Sequence, residues 1–291
     1  MKVACLILNY NDSETTIKLI ENIINYNSID YITVVDNKST DGSLQRLKPY
    51  ESDKVHVISS DKNGGYGYGN NFGIKYIHEK FQSKYILIAN PDVYFTEHTV
   101  KALKKEFSNS SDCAIIAPTQ LNKNKIVAWR LESTIKIVLS ASLLLSKVFG
   151  NKLTKYNENY FLNKDKCYVD IISGSLLMVN TDIMLKYGMY DEEVFLYFEE
   201  IILAHKLIQN SYKSKILLNE VYEHEHSTSV KKSIKSIVAT KKLLLNSEIL
   251  FFTKYRGVRG AKLITIKLFF NYVIFEMKMY SMFQKFKAMK L

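Results

Sequence analysis

The sequence predicts an α/β fold, a mainly parallel sheet flanked by helices, followed by a helical, basic C-terminal extension. Three observations carry this. Five short runs rich in β-branched residues, 3–8, 31–35, 55–58, 85–89 and 114–117, alternate with stretches of helical period over the first 120 residues. Strand and helix in alternation imply parallel neighbours joined by crossovers. Each run ends in polar or glycine-rich residues, and beyond residue 230 the pattern is helical throughout.

The elements follow in order. The N-terminal MKVACLILNYND has too short an apolar run for a secretory signal and reads as the first strand. Asp12 or Ser13 can cap the helix carrying Ile17, Ile20 and Ile24, and Asp41 with Gly42 opens another. Asn63 to Gly73 supplies glycines at 64, 65, 67 and 69 ahead of a helix bearing Ile74, Tyr76 and Ile77. Residues 121–167 are less regular and yield no firm elements. Residues 169–179 read as a strand interrupted by Ser173-Gly174-Ser175, and a helix is expected to begin at Phe195. RGVRG, 256–260, breaks two C-terminal helices.

With 291 residues, 47% of them hydrophobic, the chain can bury a sizeable core. Cys5, Cys113 and Cys167 are too few and scattered for a disulfide framework or thiolate metal site, which fits a reducing compartment. The net charge of +11 suggests nucleic acid until it is located. Residues 231–291 hold fourteen Lys and Arg against Glu248 and Glu276, a balance of +12, which leaves residues 1–230 at −1. A nucleic-acid partner is therefore not expected. The division is a domain of residues 1–230 and an extension of 231–291. No uncharged apolar run reaches the roughly 18 residues of a membrane span. Basic and amphipathic, the extension suits an anionic membrane surface, with a dimer interface or a lid on the core as the other uses.

Several segments carry chemistry. Asp36, within DNKSTDGS, is either a polar turn residue or an acceptor for a base or ribose. The glycines of 64–69 let backbone N–H groups approach a diphosphate or sugar, although the dinucleotide fingerprint is missing after the first strand. Asn90-Pro91-Asp92 ends an apolar run; on an extended segment residues 90 and 92 point the same way and can reach a cation, or Asp92 can cap the helix that follows. Glu199 and Glu200 lie between Tyr-Phe and Ile-Ile, where desolvation raises a pKa towards that of a general base, or they are simply acids in a first helical turn. His224 and His226, two apart, are metal-ligand candidates.

In order and spacing LNYN, VDNKSTDGS, NGGYGYGNN, NPDV, SGSLLMV, YDEEVFLYFEE and the His segment resemble the family 2 glycosyltransferases of GT-A fold, particularly bacterial rhamnosyltransferase-like members, over about residues 3–229. The resemblance implies that Asn9, Tyr10, Asn11 and Asp36 line the nucleoside pocket and that Asn63, Gly64, Gly65 and Asn90 lie along the nucleotide and donor. Asn90-Pro91-Asp92 takes the place of the family's D-x-D, so Asp92, with His224 or His226, is expected to hold Mg²⁺ or Mn²⁺; spacing to Ser229 favours His224. Gly174, Ser175, Glu199 and Arg130 are expected near the donor and acceptor sugars. Glu200 is expected to be the base, although Ile202 stands where the family has a further acid.

The implied activity is an inverting, metal-dependent transfer of a hexose, such as rhamnose, from a UDP- or dTDP-sugar to a hydroxyl of a cell-surface polysaccharide precursor. The acceptor would be a glycan or lipid-linked saccharide, and the enzyme cytoplasmic, peripheral on the inner face of the membrane and compatible with a homodimer. The alternative is a non-catalytic nucleotide-sugar-binding subunit of a glycan assembly complex, distinguished by the absence of turnover.

Overall fold

The computed structural model describes residues 1–121, 128–149, 153–225 and 236–288. The central strand β1 (Val3–Asn9) lies between β2 (Tyr31–Asp36) and β4 (Tyr85–Ala89), with β3 (Val55–Ser59) beyond β2, all parallel. The sheet then becomes mixed. β10 (Leu176–Asn180) runs antiparallel between β4 and β6 (Cys113–Gln120). β11 (Lys213–His224) runs parallel to β6 and pairs antiparallel with β5 (Val93–Tyr94) and β8 (Lys166–Val169). A separate two-stranded ribbon joins β7 (Ala128–Trp129) to β9 (Ile171–Ile172).

Alternation along β1 explains the layers. Val3, Cys5 and Ile7 join one core with Leu19, Ile20 and Ile23 of α1 (Ser13–Ile23) and with Val100 and Leu103 of α4 (Glu97–Ser108). Ala4 and Leu6 join the other with Ile74 and Ile77 of α3 (Gly65–Phe81). A strand buried on both faces has to be apolar at every position, which is why 3–7 contains no polar residue. Truncating Leu6 to Ala should cost about 2–5 kcal/mol. The short α2 (Ser43–Leu47) follows Gly42, with Asp41 accepting from the Ser43 N–H at 2.9 Å.

A third core lies outside the sheet. It joins Ile137 and Val138 of α5 (Thr134–Ser140), Phe198, Ile202 of α8 (Glu199–Gln209), Leu245 of α9 (Ile237–Leu250) and Phe270 and Val273 of α10 (Gly260–Ala288) around Phe251 and Phe252, both fully buried. The first part of the C-terminal region is thus built into the globule, while the expected boundary at residue 230 lies outside the described residues. α6 (Leu143–Phe149) meets α10 through Glu276, whose carboxylate accepts from the N–H groups of Leu143 and Leu144.

Four local expectations change. The glycines 65, 67 and 69 do not precede a helix; they form the first turns of α3, where small residues let its backbone approach neighbouring segments. Residues 169–179 form parts of three strands, because the Ser173-Gly174-Ser175 turn separates β9 from β10. α8 begins at Glu199 rather than Phe195, since Tyr197 and Phe198 are left-handed, with φ of 70° and 79°. Asn90-Pro91-Asp92 is a turn, and α4 is capped by the Thr96 side chain, which accepts from the Thr99 N–H, rather than by Asp92. α7 (Thr181–Ile183) is a single turn capped by Asn180 that continues as a π-helical turn.

Candidate active site

The register fixes where the polar segments meet. Asn9 pairs with Asp36, Asp36 with Ser59, and Ala89 with Leu176, so the ends of β1, β2, β3 and β4 and the start of β10 share one edge. That edge is the usual ligand position in an open α/β sheet.

On its β1–β2 side, Asn9 and Asp36 are almost wholly buried. Asp36 accepts from Asn9 Nδ2 at 2.8 Å through Oδ1 and from the Ser39 N–H at 3.0 Å through Oδ2. Asn9 Oδ1 accepts from Thr16. These two residues brace the edge from beneath. Asn11, left-handed at φ 51°, clasps the loop after β2 through Thr40 and Ser39, and Tyr10 lies beside it, half-buried. Asn63 Oδ1 accepts from Asn37 Nδ2 at 3.2 Å and from the Gly65 N–H at 3.3 Å. Asn37, not singled out from the sequence, also donates to the Gly65 carbonyl.

Gly65 ties this side to the acidic segment. Its φ is +90°, and a Cβ there would stand 1.9 Å from the Phe195 carbonyl oxygen; the next residue, Tyr66, donates its N–H to that same oxygen at 3.1 Å. Asn71 clamps the segment further along, donating to the Tyr190 carbonyl and to Glu192 and accepting from the Tyr190 N–H. Asp191 accepts from Tyr255 at 2.6 Å and pairs with Lys254 at 2.9 Å. Despite burial, these partners hold its carboxyl below the usual range.

Beyond lies a cavity of about 560 Å³. It gathers Asn90, Arg130, Gly174, Ser175, Glu199, Glu200 and His224 from the expected site. Asp92 stands at its margin, with Oδ1 3.2 Å from His224 Nε2. Asn9, Tyr10, Asn11, Asp36, Asn63, Gly64 and Gly65 do not line it, so the expected residues form two adjoining groups. The Gly174 N–H donates to Glu200 Oε1 at 3.2 Å, and Tyr66 donates to the Gly174 carbonyl at 2.7 Å. Ser175 shares a 2.6 Å hydrogen bond with Tyr222, and its carbonyl accepts from the Asn90 N–H. Arg130 pairs with Glu132 at 3.2 Å. His226 lies outside the described residues.

Glu199 and Glu200 open α8 side by side. Burial, then the charge of Glu200, pushes Glu199 up to about 8. Burial also raises Glu200, against which the Gly174 N–H favours its ionised form. Both carboxyls are thus held above the ordinary range by burial, and the Gly174 N–H is a contact that favours charge on Glu200. Tyr66, Trp129, Lys241 and Glu248 also line the cavity. Nothing in the local sequence marks them, since they come from three distant segments.

The donor set near Asn90 suits a divalent cation. A carboxylate and an imidazole 3.2 Å apart can ligate one ion jointly, and mixed oxygen and nitrogen ligation admits Mn²⁺ as well as Mg²⁺. Among the described residues no group of three or more His, Cys, Asp or Glu side chains could hold a metal ion. Remaining positions would fall to phosphate oxygens and water.

The glycosyl transferase family 2 model matches residues 5–177. A hexosyltransferase of low-salt glycan biosynthesis, Agl10 of Haloferax volcanii, is 27% identical over 205 residues, 70% of this chain and 61% of that protein, so the chain spans under two thirds of that relative. An N-acetylglucosaminyl-diphospho-decaprenol L-rhamnosyltransferase of Mycobacterium tuberculosis is 26% identical over 68% of this chain and 67% of its own. A mannosyltransferase of Pyrobaculum calidifontis, solved with GDP-Man and Mn²⁺, superposes with a TM-score of 0.58 at 12% identity, covering 95% of this chain and 73% of that one. With its strand order, helical layers and matched segment, the chain belongs to glycosyl transferase family 2 and has the GT-A fold.

Proposed function

We propose that the chain is an inverting glycosyltransferase that moves a hexose or deoxyhexose from a nucleoside diphosphate to a hydroxyl of a cell-surface glycan precursor. The observation that carries this reading is the cavity that joins Asn90 and His224, beside Asp92, to the buried Glu199 and the half-buried Glu200. Glu200 accepts the proton of the acceptor hydroxyl as that oxygen bonds to the anomeric carbon. The bond from the anomeric carbon to the diphosphate oxygen breaks on the opposite face, its electron pair leaves with the diphosphate, and configuration inverts. Gly174 orients Glu200, and Tyr66 orients Gly174. Asp92 and His224 are the residues that would hold Mg²⁺ or Mn²⁺, whose charge would offset that of the diphosphate. The relatives' hexosyl and rhamnosyl transfer supports the sugar class, and the GDP-Man and Mn²⁺ of the mannosyltransferase structure support the donor class and the metal.

The C-terminal helix suits attachment to the inner face of a membrane. Its outer face exposes Ile264, Leu268, Phe275, Met279, Met282 and Phe283, flanked by exposed Lys262, Lys267 and Lys278. Among the described residues no helix is long and apolar enough to cross a membrane. An exposed apolar row flanked by lysines suits contact with an anionic membrane surface, near a lipid-linked acceptor.

Incubation with UDP-, dTDP- and GDP-sugars, with and without Mn²⁺, should release nucleoside diphosphate from one donor, and Asp92→Ala should abolish the Mn²⁺ stimulation. No release or transfer from any donor, with an acceptor extract supplied, would sink the enzymatic reading. The chain should also co-sediment with anionic vesicles and be released by salt, and equal binding to neutral vesicles would refute electrostatic attachment.

A further inference from the structure

The cavity extends past Glu200 to α9, where Lys241, Leu244 and Glu248 line it at i, i+3 and i+7, one face of the helix. Glu248 is 4% exposed, and its Oε2 has no hydrogen-bond partner. Across the cavity Glu199 is 5% exposed and its Oε1 is likewise without one. Unsatisfied buried oxygens usually cost about 1–3 kcal/mol each, more when charged, so two along one cavity call for a ligand. The mixed lining restricts its chemistry: carboxyl groups of Glu199, Glu200 and Glu248 alternate with the ammonium of Lys241 and the guanidinium of Arg130, so no ligand of one charge finds matching partners throughout. A neutral polyhydroxyl compound can donate to the carboxyl oxygens and accept from the ammonium and guanidinium. The indole of Trp129 and the aliphatic walls at Ile137, Ala141 and Leu244 suit the carbon face of a sugar ring.

Resting on the transferase reading, we propose that Lys241 and Glu248 are acceptor-specificity residues: they hydrogen-bond the hydroxyls of an uncharged saccharide whose reacting oxygen faces Glu200. α9 is held to the catalytic segment by the Ser247 hydroxyl, which donates to the Leu196 carbonyl immediately before the left-handed Tyr197–Phe198 turn. Acceptor recognition and the base are therefore mounted on one packed unit. Burial, partly offset by the charge of Lys241, raises Glu248 to about 8, consistent with a carboxyl that can also donate a proton to a hydroxyl oxygen.

The test uses the full chain with saturation-transfer NMR. Its probes are methyl glycosides of glucose, galactose, rhamnose and N-acetylglucosamine, set against methyl glucuronide and glucose 6-phosphate. At least one neutral glycoside should bind and neither anion should. Glu248→Leu and Lys241→Met should weaken that binding tenfold or more, with nucleotide affinity changing less than twofold by calorimetry. Glu248→Leu should also raise Tm, because it removes a carboxyl that folding leaves unpaired; Glu248→Gln provides the isosteric control. Unchanged glycoside binding in these variants, preferential binding of an anion, or no binding by any neutral glycoside would overturn the proposal. A lower Tm with binding retained would mark Glu248 as structural. A wild-type chain that binds no nucleotide would instead strike the transferase reading, whatever the glycosides do.

Discussion

Where β1 meets β2, Asn9 and Asp36 are buried and both oxygens of Asp36 accept protein hydrogen bonds. In the adjoining cavity Glu199 and Glu248 are nearly as buried, yet each keeps an oxygen with no partner. Folding satisfies the first pair, and that edge is rigid before anything binds. It leaves the second pair strained electrostatically, at a cost in stability, so the cavity carries the perturbed groups. Substitutions at the edge should act on stability, and those in the cavity on chemistry.

The largest effect should come from Glu200→Gln, which should lower turnover by about 10²–10⁴-fold with Tm kept or raised. A greater loss in Glu199→Gln would move the base to its neighbour. Asp36→Ala, at the satisfied edge, should cost about 2 kcal/mol, or roughly 3 °C in Tm at this size, seen by calorimetry. A silent Asp36→Ala would break the contrast between edge and cavity. The smallest effect is on pH dependence. Glu199 and Glu248 rise from 4.5 to about 8 on folding, so between those values the folded chain binds more protons than the unfolded one. Their contribution is complete below about pH 4.5 and is lost as pH rises towards 8. Urea titrations at pH 6 and 8.5 should show that loss, and Glu248→Gln should diminish it; a stability that rises over this window in wild type but falls in the variant would contradict it.

The strands were legible because burial on both faces forces apolar runs. The edge was legible because a turn after each strand needs Asn, Asp, Ser or Gly, and those residues concentrate in NYN, DNKSTDGS and NPD. The acidic pair could be found by its apolar surroundings, but the start of α8 could not, since left-handed Tyr197 and Phe198 run against their preferences and are held there by packing. Lys241 and Glu248 looked like members of a basic, amphipathic tail. Only the third core, closed on Phe251 and Phe252, turns that face of α9 towards Glu200. A position set by packing between distant segments leaves no local pattern to read.

The contact at Gly65 has a consequence for mutational tolerance. The obstacle to any side chain is a peptide carbonyl 1.9 Å away, and the backbone is already at φ +90°. Neither can be relieved by a rotamer change nearby. At Gly260 the φ is +56° but nothing lies within 4 Å, so only the backbone term opposes replacement. A saturation library selected for folded protein should return glycine alone at 65, whereas at 260 Asn and Asp should survive beside it. One codon would thus be closed to drift by the point at which the two halves of the site touch.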